Sequence, residues 1–335
     1  MIFSCIVINF NLGDKKMIDK CGRKVNYLRV SLTDKCNLRC IYCMPNHREL
    51  KNTENMTTDY ENLLKIIKAS VVLGINKVRF TGGEPLILKN LDNLIEGTSK
   101  IPGIKEICLT TNGLLLNDRI DDLRKVGLTR VNISLDTLNE EKYQLITRGG
   151  NLKKVKEGIG RCLSIGIKPV KLNVVLMKGI NDDEIDGFIS LTKDMPIHVR
   201  FIELMPIGEG AKIFKERFLS SKDIVEKNSQ LIHLGRNENE TAELYKLPKG
   251  KGKIGFINPL SCKFCKDCNR IRMTNELTIK HCLHSEEEFD LKPYIHNELL
   301  LVKKLQSIIY HKPSEHNLSM NSSSANKKSM FQIGG

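Results

Sequence analysis

The chain predicts an α/β fold whose core is a six-stranded parallel sheet curled into a partial βα barrel. Three observations carry this. Six short β-rich runs, at residues 26–32, 77–81, 106–110, 130–135, 170–176 and 198–204, recur through the first two thirds of the 335 residues. Stretches of helical periodicity lie between them, as parallel crossovers require. The residues richest in chemistry sit at or just past the ends of these runs, where parallel α/β sheets place their sites.

In order along the chain, residues 1–17 carry no motif, and Met17 is a plausible alternative start. The first run leads into Cys36-x3-Cys40-x2-Cys43. A helix at 60–73 is expected from Leu63, Leu64, Ile67 and Val71 on one face. The second run ends in Thr81-Gly82-Gly83-Glu84-Pro85, the third in Thr110-Thr111-Asn112-Gly113, and the fourth in Ser134-Leu135-Asp136. A helix at 182–193 separates the fifth run from the sixth, which leads to Met205-Pro206. Six repeats fall short of the eight of a closed barrel, hence a partial one spanning 18–208. A second region, 209–312, follows. Its first part (208–252) is charged and without a readable motif; then come a second cysteine group and a helix around 297–310. Residues 313–329 are polar, the chain then ends Met330-Phe331-Gln332-Ile333-Gly334-Gly335, and 313–335 are expected to form a mobile tail.

With 40% hydrophobic residues the chain can build a large core. No apolar run approaches the ~20 residues of a membrane span, and the start lacks the charged and small-residue pattern of a secretory signal, so a cytoplasmic protein is expected. The net charge of +14 calls for an anionic partner or a simple solubility explanation. Lysines are dispersed, aromatics make up only 5%, and no dense basic helix occurs, which favours a phosphorylated small molecule over nucleic acid. Of eleven cysteines, seven fall at 36–43 and 262–282. Such clusters in a reducing compartment point to metal rather than disulfides. Cys108, in an apolar run, is expected in the core.

Three thiolates in an eight-residue loop are one short of a closed zinc site or an ordinary cubane. A loop of this kind leaves one metal position open, and an open position means chemistry. A zinc knuckle with a distant fourth ligand is the alternative. Cys265-x2-Cys268-x13-Cys282 repeats the arrangement, and Cys262 could complete a four-cysteine zinc site there. Arg270 and Arg272, two apart in an extended segment, project to one side and could clamp phosphates. His281 and His284 flank Cys282 and read as surface histidines.

The first loop and Gly-Gly-Glu-Pro resemble the radical S-adenosylmethionine (SAM) enzymes. Adding Arg200-Phe-Ile-Glu-Leu-Met205, the second cysteine group, Lys312-Pro313-x-x-His316 and the terminal Gly-Gly, the chain from about Asp19 onward resembles the GTP 3′,8-cyclase family of molybdenum cofactor biosynthesis. The resemblance implies two 4Fe–4S clusters, one on Cys36, Cys40 and Cys43, the other on Cys265, Cys268 and Cys282 in the C-terminal extension, leaving Cys262 a bystander. It implies SAM contacts from Tyr42, Gly83, Ser134, Arg200 and Met205. GTP would meet Arg29, Arg79, Thr110, Lys171, Arg270 and Arg272, and Gly334 and Gly335 would enter the barrel mouth during catalysis. The implied chemistry is reductive cleavage of SAM, removal of the C3′ hydrogen of GTP and attack of C3′ on C8. The implied partners are a low-potential electron donor and, downstream, cyclic pyranopterin monophosphate synthase, with a homodimer among the assemblies left open. A radical SAM peptide-modifying enzyme with an auxiliary cluster is the alternative function; it leaves Arg270, Arg272 and the Gly-Gly end without a role.

Overall fold

The computed structural model describes residues 17–46, 59–237, 240–319 and 328–334. The N-terminal extension before Met17, and Gly335, lie outside these residues. Six strands pair in sequence order, all parallel: β1 (Tyr27–Ser31), β2 (Lys77–Thr81), β3 (Glu106–Thr111), β4 (Arg130–Ser134), β5 (Val170–Leu176) and β6 (Ile197–Glu203). They fall on the six expected runs.

The sheet does not stop at six. The region beyond residue 208 supplies β7 (Ile232–Gly235), β8 (Glu243–Lys246), β9 (Lys253–Ile257), β10 (Arg270–Met273), β11 (Thr278–Lys280) and β12 (Phe289–Asp290). β9 adds parallel to β6, and β8 and β7 follow antiparallel. On the opposite edge β10 adds parallel to β1, followed by antiparallel β11 and β12. The result is one open, mixed, twelve-stranded sheet in the order β12-β11-β10-β1-β2-β3-β4-β5-β6-β9-β8-β7. The six-stranded expectation is therefore corrected. Most of the added strands are short, two to four residues, and together they extend the sheet from β1 and β6, which would otherwise present bare hydrogen-bonding edges.

The helices are α1 (Tyr60–Val72), α2 (Leu91–Ser99), α3 (Leu116–Lys125), α4 (Glu140–Thr147), α5 (Leu152–Ser164), α6 (Ile185–Asp194), α7 (Glu209–Arg217), α8 (Ser221–Lys227), α9 (Glu298–Tyr310) and α10 (Met330–Ile333). Asx caps start several of them: Asp59, Asn139, Asn151 and Asn297 each accept the backbone N–H three residues on. The buried face of α1 centres on Leu63, Ile66, Ile67 and Ser70 rather than on Leu64 and Val71, which are partly buried. Ser70 fits there because its hydroxyl donates to Ile66 O at 2.8 Å.

The core lies between sheet and helices. Val78, Phe80, Leu109, Val131, Ile133, Leu172, Val174, Val199 and Phe201 project from successive strands to this side and are essentially fully buried. Residues one position away point to the other face. That inner face is polar, and it is the site.

Candidate active site

Strand register builds the site. Arg272, Arg29 and Arg79 are neighbours across β10, β1 and β2, and Thr110, Asn132 and Lys171 are neighbours across β3, β4 and β5. Ser134, Asn173 and Arg200 continue the pattern across β4, β5 and β6. These positions share one face, so a band of cations and amides lines the inside of the curl.

Above the band, the loop after β1 carries the first cysteine triplet. Its backbone is tied to the end of α4 by Arg39 N–H to Thr147 O and Ile41 N–H to Ile146 O, both 3.0 Å. Tyr42 donates its hydroxyl to Asp136 Oδ2 at 2.7 Å, and Val175 N–H fixes the other carboxylate oxygen at 2.8 Å. Gly83 N–H donates to Thr33 O at 2.6 Å. A Cβ on Gly83 would stand 2.0 Å from Lys35 O, so the glycine is required by the cysteine loop itself. Burial pushes the thiol of Cys36 up to about 11, and burial with Cys36 and the Asp136 carboxylate nearby pushes Cys43 up to about 12. Glu84 is buried and accepts from Leu86 N–H, Asn112 N–H and the Thr111 hydroxyl, yet burial still raises it to about 7.

The second triplet stands across the opening. Cys265 opens a single helical turn, Cys268 leads into β10, and Cys282 follows β11. Against burial, Lys312 and Arg270 draw the Cys268 thiol down to about 7. All six cysteines line one cavity of about 310 Å³, together with Arg29, Tyr42, Gly83, Thr110, Ser134, Arg200, Met205, Arg270 and Arg272. Arg79 and Lys171 are buried and do not line it. Cys262 is exposed and does not line the cavity. None of the ten described cysteines is in a disulfide, and Cys108 is buried as expected.

Burial and crowding by other cations push Arg29 down to about 9 and Lys171 down to about 7; for Arg200, burial alone leads and takes it to about 10. Glu240 meets both Lys171 and Arg200 at 3.5 Å, and against burial these two hold its carboxyl down to about 2. Buried polar atoms without a hydrogen-bond partner among the described residues include Arg200 Nε, Arg270 Nε, Asn132 Oδ1 and Asn173 Oδ1. The two arginine N–H donors fit an anionic group, and the two amide oxygens fit a ligand that also carries donors.

The described end of the tail sits in the same opening. α10 buries Phe331 and Ile333, Ser31 donates its hydroxyl to Gln332 O at 3.1 Å, and Arg272 donates to Gly334 O. Gly334 has φ +70°, and a Cβ there would meet Thr81 Cγ2 at 2.3 Å. Thus residues 328–334 of the expected mobile tail are packed. Two further readings change. His281 and His284 are buried: His281 Nε2 bonds Ile308 O at 2.6 Å, and the ring of His284 packs on that of His316 at 4.5 Å. Asp136, Asn132, Asn173, Glu240, Arg23 and Lys312 were not read as site residues. Polar residues alternating inside apolar strands could have revealed the two asparagines.

Residues 30–192 match the Radical SAM superfamily, and residues 197–318 match Molybdenum Cofactor Synthesis C. A GTP 3′,8-cyclase of Clostridium botulinum is 55% identical over 319 residues, 95% of this chain and all of that one. One from Clostridium acetobutylicum is 51% identical over the same shares. The chain belongs to the GTP 3′,8-cyclase family. The fold is also similar to that of Streptococcus suis SuiB bound to S-adenosylmethionine, with a TM-score of 0.54 and 15% identity over 84% of this chain and 68% of that one. Membership in the cyclase family brings SAM and iron–sulfur chemistry. The residues fit it: Cys36, Cys40 and Cys43 face one cavity, and partial burial holds all three thiols above their ordinary range, a cost that bound iron would relieve.

Proposed function

We infer that the chain is a GTP 3′,8-cyclase, a radical SAM enzyme that converts GTP to (8S)-3′,8-cyclo-7,8-dihydroguanosine 5′-triphosphate, the first step of molybdenum cofactor biosynthesis. The carrying observation is the full-length identity to cyclases, and the two cysteine triplets facing one cavity agree with it. Cys36, Cys40 and Cys43 hold one cluster; Cys265, Cys268 and Cys282 hold the second. The first, when bound, supplies the single electron for reductive cleavage of SAM.

The chain's own residues bind, orient and exclude water. Tyr42, Gly83, Ser134, Arg200 and Met205 hold SAM beside the first triplet, with Asp136 fixing Tyr42. Arg29, Arg79, Thr110, Lys171, Arg270 and Arg272 hold GTP between the triplets. The support is the register band, whose crowded cations need an anion of high charge. Such clamping places C3′ and C8 within reach of one another. Gly334 and Gly335 act at the mouth, where a chain without Cβ atoms fits beside substrate; Gly335 lies outside the described residues. Among the described residues no helix is long and apolar enough to cross a membrane. We place the enzyme in the cytoplasm, with a low-potential electron donor upstream and cyclic pyranopterin monophosphate synthase downstream.

The test is anaerobic incubation of reconstituted protein with SAM, dithionite and a panel of nucleotides. 5′-Deoxyadenosine should form with GTP and far less with ATP. Equal use of both would refute the assignment. Arg272→Ala should weaken GTP binding or turnover by about 1–3 kcal/mol, the range for a charge-assisted hydrogen bond, with SAM binding unmoved.

A further inference from the structure

The Lys312-Pro313-x-x-His316 segment has no role in the reading so far, yet it touches the second triplet at several points. Lys312 is 2% exposed, and its ammonium lies 3.5 Å from Cys268 Sγ. A buried ammonium is costly unless an anion faces it. Here that anion is the sulfur of a ligand cysteine. The backbone N–H of His316 donates to the Cys265 thiol, and the His316 ring packs on His284, two residues past Cys282.

The segment is held in place by one buried side chain. Arg23 donates through Nη2 to Pro313 O at 2.6 Å and Lys312 O at 3.3 Å, and through Nη1 to Ser314 O at 2.8 Å. The same Nη1 reaches Cys265 O at 3.0 Å, while Nε is fixed on Asp19 Oδ2 at 2.6 Å. A single guanidinium thus locks the cysteine turn to the segment that carries Lys312.

We propose that Lys312 is a positioning residue that tunes the second cluster, its ammonium hydrogen-bonded to the Cys268 sulfur and its backbone set by Arg23. A donor on a ligand sulfur withdraws electron density and favours the reduced cluster, so it raises the reduction potential. The inference rests on assigning Cys265, Cys268 and Cys282 to a second cluster.

The test is a mediated redox titration of the full, anaerobically reconstituted chain, followed by electron paramagnetic resonance, with iron counted in each sample. In Lys312→Met the midpoint of the second cluster should fall while that of the first stays put; Lys312→Arg should restore most of the shift. An unmoved second midpoint with iron retained overturns the proposal, as does an equal shift at both clusters. Should Lys312→Met fail to keep its second cluster, Lys312→Gln, which removes the charge and keeps a weaker donor, decides: its second midpoint should fall, and an unmoved one with iron retained overturns the proposal. Wild-type protein with iron only at the first site would sink the second-cluster assignment and this inference together.

Discussion

At the scale of single residues, the site depends on groups whose environment differs sharply from water. Gly83 is one: with Lys35 O where its Cβ would be, Gly83→Ala must push the cysteine loop away. We expect this variant to lose iron from the first triplet while the second keeps its own, measured as iron per chain. Glu84 is another. Its folded value of about 7 lies above the ordinary 4.5, so the folded state holds a proton that the unfolded chain releases between those values. The stabilisation is complete below pH 4.5 and lost as pH rises through 7. Across that window it amounts to about 3 kcal/mol. Urea midpoints of the iron-free protein at pH 5 and pH 8 check this: wild type should lose more stability with rising pH than Glu84→Gln. Parallel profiles would mean that Glu84 is ionised throughout. The six cysteines that face the cavity were legible in sequence because they cluster, although only the resemblance set Cys265, Cys268 and Cys282 apart from Cys262. Asp136 was legible only as part of a motif, and Lys312 not at all as a site residue. Their partners, Tyr42 and Cys268, stand 94 and 44 positions away.

At the scale of elements, the legible strands were those long enough to show their alternation. Lys77-Val-Arg-Phe-Thr81 places Val78 and Phe80 against helices and Arg79 toward the substrate side, and five residues suffice to see it. β12, with two residues, and β11, with three, offer no period at all. They exist because an edge awaits them, which is information held by the rest of the sheet. The four-residue α10 is a similar case: a polar neighbourhood hid it, and its own capping box and the burial of Phe331 make it. Truncating a buried phenylalanine costs about 3–5 kcal/mol, more than one helical turn can supply. Phe331→Ala should therefore release the tail. Trypsin should cut near Lys328 faster, and product should be lost while SAM binding and both clusters remain. Unchanged cleavage would show that other contacts dock the tail.

At the scale of the whole molecule, the two cysteine triplets belong to different halves of the chain but one sheet. The N-terminal hairpin, through Asp19 and Arg23, ties the start of the chain to the Cys265 turn 242 positions later. A chain beginning at Met17 keeps this tie and should retain both clusters and turnover. One beginning at Lys24 loses it and should bind iron at the first triplet only. Equal iron in both chains would make the tie dispensable.

The pairing of β1 with β10 also governs how the protein comes into being. Asn26 and Asn269, which flank that pair, are 243 positions apart. During translation the first strand emerges with its outer edge bare, and it stays bare until the ribosome has made nearly all of the chain. At ordinary elongation rates that wait is about 10–50 s. For this interval the nascent chain offers an unpaired parallel edge to any neighbour, and its first cysteine loop is out before the wall opposite exists. Iron delivered that early would meet solvent on one side. Iron held by the first cysteine loop is therefore expected to become stable only once β10 has paired, and iron counted on ribosome-stalled chains ending before and after β10 checks this.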